Sequence, residues 1–306
     1  MAAIAQVSNE DIRALGLTPA ELLAAMARAV ESLQRGDAGF IHKKAMHPRA
    51  GGEFYAMPAT LGELAVVKWL NVAAKPAPGA PLIQAQLLAT HIPSGRVLAL
   101  MDAEWITAVR TAAISALAAC WLRVPGAASL AIIGCGLQAR THLAAWQDAF
   151  ASRQVLAHSR RRSSAAAFAA EARACGVTAQ VLDTAAQALS AGGTVLIASP
   201  ANTTTPGCLD AGDVPPDTLV VALDLGVALK PDSLTHFDRF VVDHRGQTMA
   251  LMDAGTMPRL PRIDQDLTTL TPMQRGERVL FVPPGMALAD AAVAELVLHR
   301  LGLWPH

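Results

Sequence analysis

Apolar residues first recur at helical spacing. Leu22, Leu23, Met26, Val30 and Leu33 return every three or four positions, which is one face of an amphipathic helix. Thr18 is placed to cap that helix, Pro19 to occupy its first turn, and Gly36 with Gly39 to end it. Upstream, Ser8-Asn9-Glu10-Asp11 before Ile12 and Leu15 marks a shorter helix start. Between residues 40 and 100 the period shortens to that of strands. Phe54-Tyr55-Ala56-Met57 is short and apolar, and residues 65–70 read AVVKWL, with Lys68 inside an apolar run. A lysine there must reach water or a partner, because burying it unpaired is costly; the simple alternative is an edge-strand lysine whose stem lies on apolar surface and whose head is wet. KPAPGAP at 75–81 is a loop, and strands at 82–91 and 97–101 flank Pro93-Ser94-Gly95 as a hairpin. Asp102 is a candidate cap for a helix over 103–122, made slim by Ala112, Ala113, Ala116, Ala118 and Ala119.

From residue 128 strands and helices alternate, as a parallel sheet requires. Strands are expected at 130–133, 155–157, 178–181, 194–198, 219–223 and 240–242, with helices at 163–175 and 184–189 and a last helix at 287–301, after Pro283-Pro284-Gly285. The first of these strands runs into Gly134-Cys135-Gly136-Leu137-Gln138-Ala139, and a helix follows. This G-x-G-x-x-A turn between strand and helix is the dinucleotide fingerprint in its required context. Gly134 permits the tight turn, Gly136 lets backbone approach a diphosphate, and Ala139 keeps the helix close to the sheet. The free N–H groups of the helix start, at Leu137 and Gln138, face the phosphates.

The end of the next strand selects the cofactor. An acid there binds the ribose hydroxyls of NAD, and a basic residue accommodates the 2′-phosphate of NADP. The segment is Ala157-His158-Ser159-Arg160-Arg161-Arg162, about 25 residues past Gly134 and without an acid. Ser159, Arg160 and Arg161 therefore point to NADP, with NAD the other possibility; the alternative reading of the arginines is a solvated helix start.

Composition narrows the class. The 306 residues have room for one large or two medium domains, and their apolar content of 52% supports a sizeable core. Zero formal net charge, with no basic block, gives no reason to expect nucleic acid. No apolar run of about 18 residues is present, so no membrane span is expected. The N-terminal stretch lacks the basic and apolar regions of a signal peptide. Cys120, Cys135, Cys175 and Cys208 form no CxxC pair and fit buried small hydrophobes in a reducing cytoplasm. The histidines show no HExxH pattern, and no metal site is expected.

Several segments together resemble the ornithine cyclodeaminase/μ-crystallin family. They are Met57-Pro58-Ala59, Lys68, the SG-x-x-LAL of residues 94–100, ITAVRTAAISALAA at 106–119, the GCGLQA turn, and Ala289-Asp290. They occur in family order along nearly the whole chain. The resemblance implies an α/β fold of two domains: a Rossmann NAD(P)-binding domain, residues 123–285, inserted into an α+β substrate and dimerisation domain of residues 1–122 and 286–306. It also implies a homodimer and hydride transfer at the α-carbon of a small amino or imino acid. A cyclic ketimine reductase of the Δ1-pyrroline-2-carboxylate type, or an amino-acid dehydrogenase, is the leading expectation. Ornithine cyclodeamination and a non-catalytic NADPH-binding role are the alternatives.

By the same resemblance Arg110 would fork onto the substrate carboxylate, Lys68 would contact carboxylate or imine, and Thr111 would bind the cofactor diphosphate. Thr111 could instead bond back within its helix, and Arg110 could be a surface residue. Asp224, at a strand's carboxyl end, is the nominated proton carrier, with a turn or cap residue as the other reading. Lys44 stands about thirteen residues before Met57, where the family usually carries arginine, and Arg49 is a possible substitute. Tyr55 replaces the acid that suits ornithine's side-chain amine, Gln84 is the nearest candidate for a polar residue otherwise missing near Leu82-Ile83, and Pro283-Pro284-Gly285 replaces a more polar turn.

Overall fold

The computed structural model describes residues 4–75, 83–201 and 204–305. Most of the proline–glycine loop and Leu82 at the start of its following strand lie outside the described residues. The chain divides into two compact units, Met1–Thr111 with Gly285–His306, and Ala112–Pro284.

The first unit opens with β1 (Ala5–Val7), α1 (Asn9–Ala14) and α2 (Pro19–Arg35). Thr18 and Glu21 form a capping box at the start of α2, Pro19 sits in its first turn, and Gly36 ends it with a left-handed φ of 83°. Six strands follow: β2 (Ala38–Phe40), β3 (Lys44–Met46), β4 (Glu53–Leu61), β5 (Leu64–Val72), β6 (Ile83–His91) and β7 (Arg96–Asp102). They form one sheet in the order β1-β7-β6-β5-β4-β2, with β3 also on β4. Pairing is antiparallel except where β1 joins β7. Side chains alternate across the sheet. Met57, Ala59, Leu64, Val66, Leu87 and Ala89 line the buried face, and Lys68 shares it, in register with Met57 and Leu87. Val67 and Trp69 face the other way and are exposed.

Next comes α3 (Glu104–Leu122), and the division between the units falls within it. Its expected cap is corrected by the structure. Asp102 accepts the backbone N–H of Asn9, and the Asn9 side chain in turn accepts the N–H of Trp105. The start of α3 is thus capped by a residue distant in sequence, which local spacing could not reveal. By length and hydropathy α3 could cross a membrane, but 78% of its apolar window is buried inside the protein, as in a core helix.

The second unit contains β8 (Ser129–Ile133), α4 (Leu137–Phe150), β9 (Gln154–His158), α5 (Arg162–Ala174), β10 (Thr178–Val181), α6 (Ala185–Leu189), β11 (Thr194–Ile197), β12 (Thr218–Ala222), β13 (Arg239–Val242), α7 (Arg245–Asp253), β14 (Gln265–Asp266) and β15 (Arg278–Val282). Its sheet is wholly parallel, in the order β10-β9-β8-β11-β12-β15-β13-β14. Strands β11, β12 and β13 are buried at every position, which explains why they read as apolar runs without alternation. Strand order reverses between β8 and β11, the place where open α/β sheets bind ligands. The hydrophobic pattern did not anticipate β15, α7 or the short β1, β2 and β3. β15 fills the sheet between β12 and β13.

The chain then returns to the first unit as α8 (Ala287–Arg300), which packs on α2, β4 and β5. The cysteine expectation needs correction: Cys135 is buried, Cys120 is half-buried, and Cys175 and Cys208 are exposed. Their positions at a helix end and in a surface loop leave no core for them to fill.

Candidate active site

A buried charge cluster occupies the first unit. Lys68 on β5 is 0% exposed. Its Nζ lies 2.7 Å from Asp290 Oδ1 and 3.2 Å from Thr107 Oγ1. This excludes a snorkelling lysine. Arg110 is also buried, so it is not a surface arginine. Its Nε lies 3.3 Å from the same Asp290 Oδ1, yet the alignment is too poor for a hydrogen bond, and Arg110 Nε and Asp290 Oδ2 have none. Thr107 and Arg110 are three residues apart on α3 and share a face. Asp290 sits in the first turn of α8, where the helix dipole favours an anion. Burial pushes the Lys68 ammonium down to about 8; Asp290 opposes that change, and the cations Arg110 and Lys43 add to it.

Gly285 makes room for this arrangement. Its φ is +94°, and a Cβ there would stand 2.7 Å from Arg110 Nη1 and 3.0 Å from Nη2. The backbone at Gly285 is therefore fitted to the guanidinium. Thr111 donates its hydroxyl to Thr107 O at 2.7 Å, a bond back within its helix.

Strand register decides between the two lysines before Met57. Lys44 pairs with Ala56, and Ala56 with Trp69, so Lys44 belongs to the face opposite Lys68 and is exposed. Lys43 takes the inward position: its Nζ lies 5.3 Å from the centre of the Tyr55 ring, and its charge reaches Lys68. The interval of about thirteen residues before Met57 points to Lys44, but the pleat gives the inward face to its neighbour Lys43. Tyr55 donates to Glu53 Oε2 at 2.5 Å, and burial with that neighbouring carboxylate raises its phenol pKa.

The glycine turn lies in the second unit. Gly134 has a φ of +99°, and a Cβ would fall 2.7 Å from Ser199 N, beyond β11. Close passage of two backbones at the strand-order reversal explains this glycine. Gly136 differs: its φ is −94°, and among the described residues a Cβ would meet no atom within 4 Å. Neither backbone nor packing requires glycine at 136, so the residue fits a close-approaching ligand. Gln138 Oε1 is buried beside it without a hydrogen-bond partner, and Ala139 is fully buried against the sheet. Together these features fit a dinucleotide diphosphate. Arg140 braces the turn. Its Nη1 donates to Cys135 O and Gly136 O, while Nε and Nη2 grip Glu171 of α5. Gly136→Ala should therefore leave the melting temperature unchanged and weaken NADPH binding about tenfold or more. Gly134→Ala should instead cost about 1–3 kcal/mol of stability through strain. Thermal melts and fluorescence titrations of both variants check the contrast.

At the end of β9, Ser159 is half-buried and Arg160 and Arg161 are exposed. Arg161 precedes α5 with its side chain making no capping bond, and Arg162 pairs with Asp183. Asp224, just past β12, is 0% exposed. Its carboxylate accepts Gly226 N–H at 3.1 Å and Ala228 N–H at 2.8 Å. Burial nevertheless raises its pKa to about 6. The geometry is that of the turn-residue alternative.

Sequence reasoning left Asp290, Thr107, Gly285 and Arg140 without roles. Asp290 carried a usable signal: it is a lone acid in the first turn of a helix whose next four residues are Ala, Ala, Val and Ala. Such an acid, buried, demands a cation.

A family model described as "Ornithine cyclodeaminase/mu-crystallin family" matches residues 6–227. The ketimine reductase mu-crystallin of Rattus norvegicus is 40% identical over 89 residues, 29% of this chain and 28% of that protein. Delta(1)-pyrroline-2-carboxylate reductase 1 of Burkholderia multivorans is 32% identical over 154 residues, 50% of this chain and 49% of that one. The matched segments thus span less than half of these curated relatives. Among solved structures, an archaeal alanine dehydrogenase dimer with bound NAD superposes with a TM-score of 0.85 at 24% identity, covering 97% of this chain and 95% of that one. This likeness establishes the fold.

Proposed function

The chain belongs to the ornithine cyclodeaminase/mu-crystallin family, and from that premise we propose that it is a cytoplasmic, homodimeric, NADP-dependent reductase of cyclic α-imino acids of the Δ1-pyrroline-2-carboxylate type. The observation that carries the reading is the buried trio of Lys68, Arg110 and Asp290. With Lys68 protonated the trio holds two positive charges and one negative, an unbalanced +1 in a dry setting. A substrate carboxylate neutralises that excess, and Arg110 can engage it through the two ends of its fork. The ketimine nitrogen gains one proton in the reduction, and Lys68, held near pH 8 by burial, is suited to give it. Asp224 already accepts two backbone N–H groups of its own turn, whereas Lys68 stands in the charge cluster, and the proton is assigned to Lys68. The named relatives, a ketimine reductase and a pyrroline-2-carboxylate reductase, support the substrate class.

The α4 start at Gly136, Leu137 and Gln138 would hold the cofactor diphosphate, and Ser159, Arg160 and Arg161 the 2′-phosphate. A bound nicotinamide supplies the hydride for the α-carbon. Met46, Val67 and Trp69 lie on the outward sheet face and are exposed hydrophobics; an apolar face of this kind fits a second copy of the chain.

The test is NADPH absorbance after mixing enzyme with Δ1-pyrroline-2-carboxylate, with NADH alongside and ornithine-to-proline conversion in parallel. Loss of NADPH signal, faster than with NADH, is expected. Proline from ornithine without net NADPH loss would make the protein a cyclodeaminase, and silence in both assays would overturn the substrate class.

A further inference from the structure

Lys68 and Arg110 do not contact Asp290 through separate oxygens. Both approach Oδ1, at 2.7 Å and 3.3 Å, while Oδ2 makes no hydrogen bond. All three side chains are at least nine-tenths buried. Two cations therefore compete for one anionic atom where water screens little. We propose that Asp290 is the positioning residue of this site, whose single shared oxygen fixes the Lys68 ammonium and aims the Arg110 guanidinium at the substrate carboxylate. The inference rests on the reading of this cluster as the carboxylate site.

The surroundings of Lys68 leave this work to Asp290. From α3 it meets Thr107, which offers a neutral hydroxyl, and Arg110, which repels it. From the segment before β3 it feels Lys43, also repulsive. Its cross-strand neighbours on β4 and β6 are Met57 and Leu87, which give no charge. Asp290, from α8, is the carboxylate that favours the charged lysine against burial and two cations. Arg110 depends on it for aim as well, because Oδ1 stands at its Nε while the space at Nη1 and Nη2 is set by Gly285. Removing the carboxylate while keeping its shape should leave Lys68 between cations with no anion, and it should shed its proton at lower pH.

The experiment titrates Lys68 directly, by the 13Cε NMR signal of labelled lysine, assigned through its loss in Lys68→Met. In Asp290→Asn the Lys68 inflection should move to distinctly lower pH. The rate at pH 7.5 should fall about tenfold and recover as pH is lowered, while NADPH binding at the glycine turn stays unchanged. A merely structural aspartate would lower the rate at every pH and leave the inflection in place; that result would overturn the proposal. Should Asp290→Asn not fold, Arg110→Gln decides: with its competitor gone, Oδ1 serves Lys68 alone and the inflection must rise, and an unmoved inflection would refute sharing. The NMR readout needs no turnover. A wild type inactive on imines would refute the functional reading and leave this inference to be judged by the titration.

Discussion

Replacing Arg110 with alanine is expected to lower kcat/KM for Δ1-pyrroline-2-carboxylate by about 10²–10³-fold. Cutting one partner from a buried, hydrogen-bonded charge pair costs roughly 2–5 kcal/mol, and each 1.4 kcal/mol or so is a factor of ten. Here the lost group is buried, so no solvent screens the deficit, and Lys68 alone must hold the carboxylate as a point charge without a fork. Cofactor affinity should be unchanged, because the groups proposed to hold the diphosphate and 2′-phosphate do not include Arg110. Initial rates and an NADPH titration on the same preparation separate the two quantities. Turnover within about threefold of wild type would remove Arg110 from carboxylate binding. Gly285→Ala should give a milder form of the defect: its Cβ would stand 2.7 Å from Arg110 Nη1, so the guanidinium must shift. A protein that binds NADPH and a ligand without catalysis has no rate to lose, so the same pair of variants distinguishes that alternative.

The parts of this site legible in the sequence are those built by local rules. The glycine turn was readable because a strand, two glycines and a helix start are consecutive, and the structure gives each glycine its own physical reason. The hairpin around Pro93-Ser94-Gly95 was readable because turn residues and flanking strands are adjacent. Lys68 announced itself as a charge in an apolar strand, but its partner is 222 residues away, and no spacing rule reaches that far. The offset between Lys43 and Lys44 was lost for a different reason: register depends on which residue pairs across β3 and β4, and a slip by one exchanges the faces. β15 was legible by the same local rule as its neighbours in the sheet: Val279-Leu280-Phe281-Val282 is an apolar run bounded by Gly276 and Pro283, the signature of a buried strand.

Lys68→Met should lower kcat/KM by about 10³-fold or more, since it removes both the second cation and the proposed proton source. The wild-type pH dependence gives this prediction its sharper form. Lys68 is charged below about pH 8 and neutral above it, so kcat/KM should be flat through neutrality and fall with rising pH beyond that point. In Lys68→Met the small residual rate should lack this alkaline decline. Unfolding is the competing explanation for any alkaline loss, and the sign of the titration argues against it. The folded-state pKa lies below the value of 10.5 for a free lysine. Between about pH 8 and 10.5 the unfolded chain therefore binds more protons than the folded one, and this group makes the fold more stable as pH rises. A melting temperature that holds or climbs over the interval where the rate falls would separate loss of the ammonium from loss of the fold. A rate that stays constant through pH 9 would show that the reaction does not need Lys68 protonated.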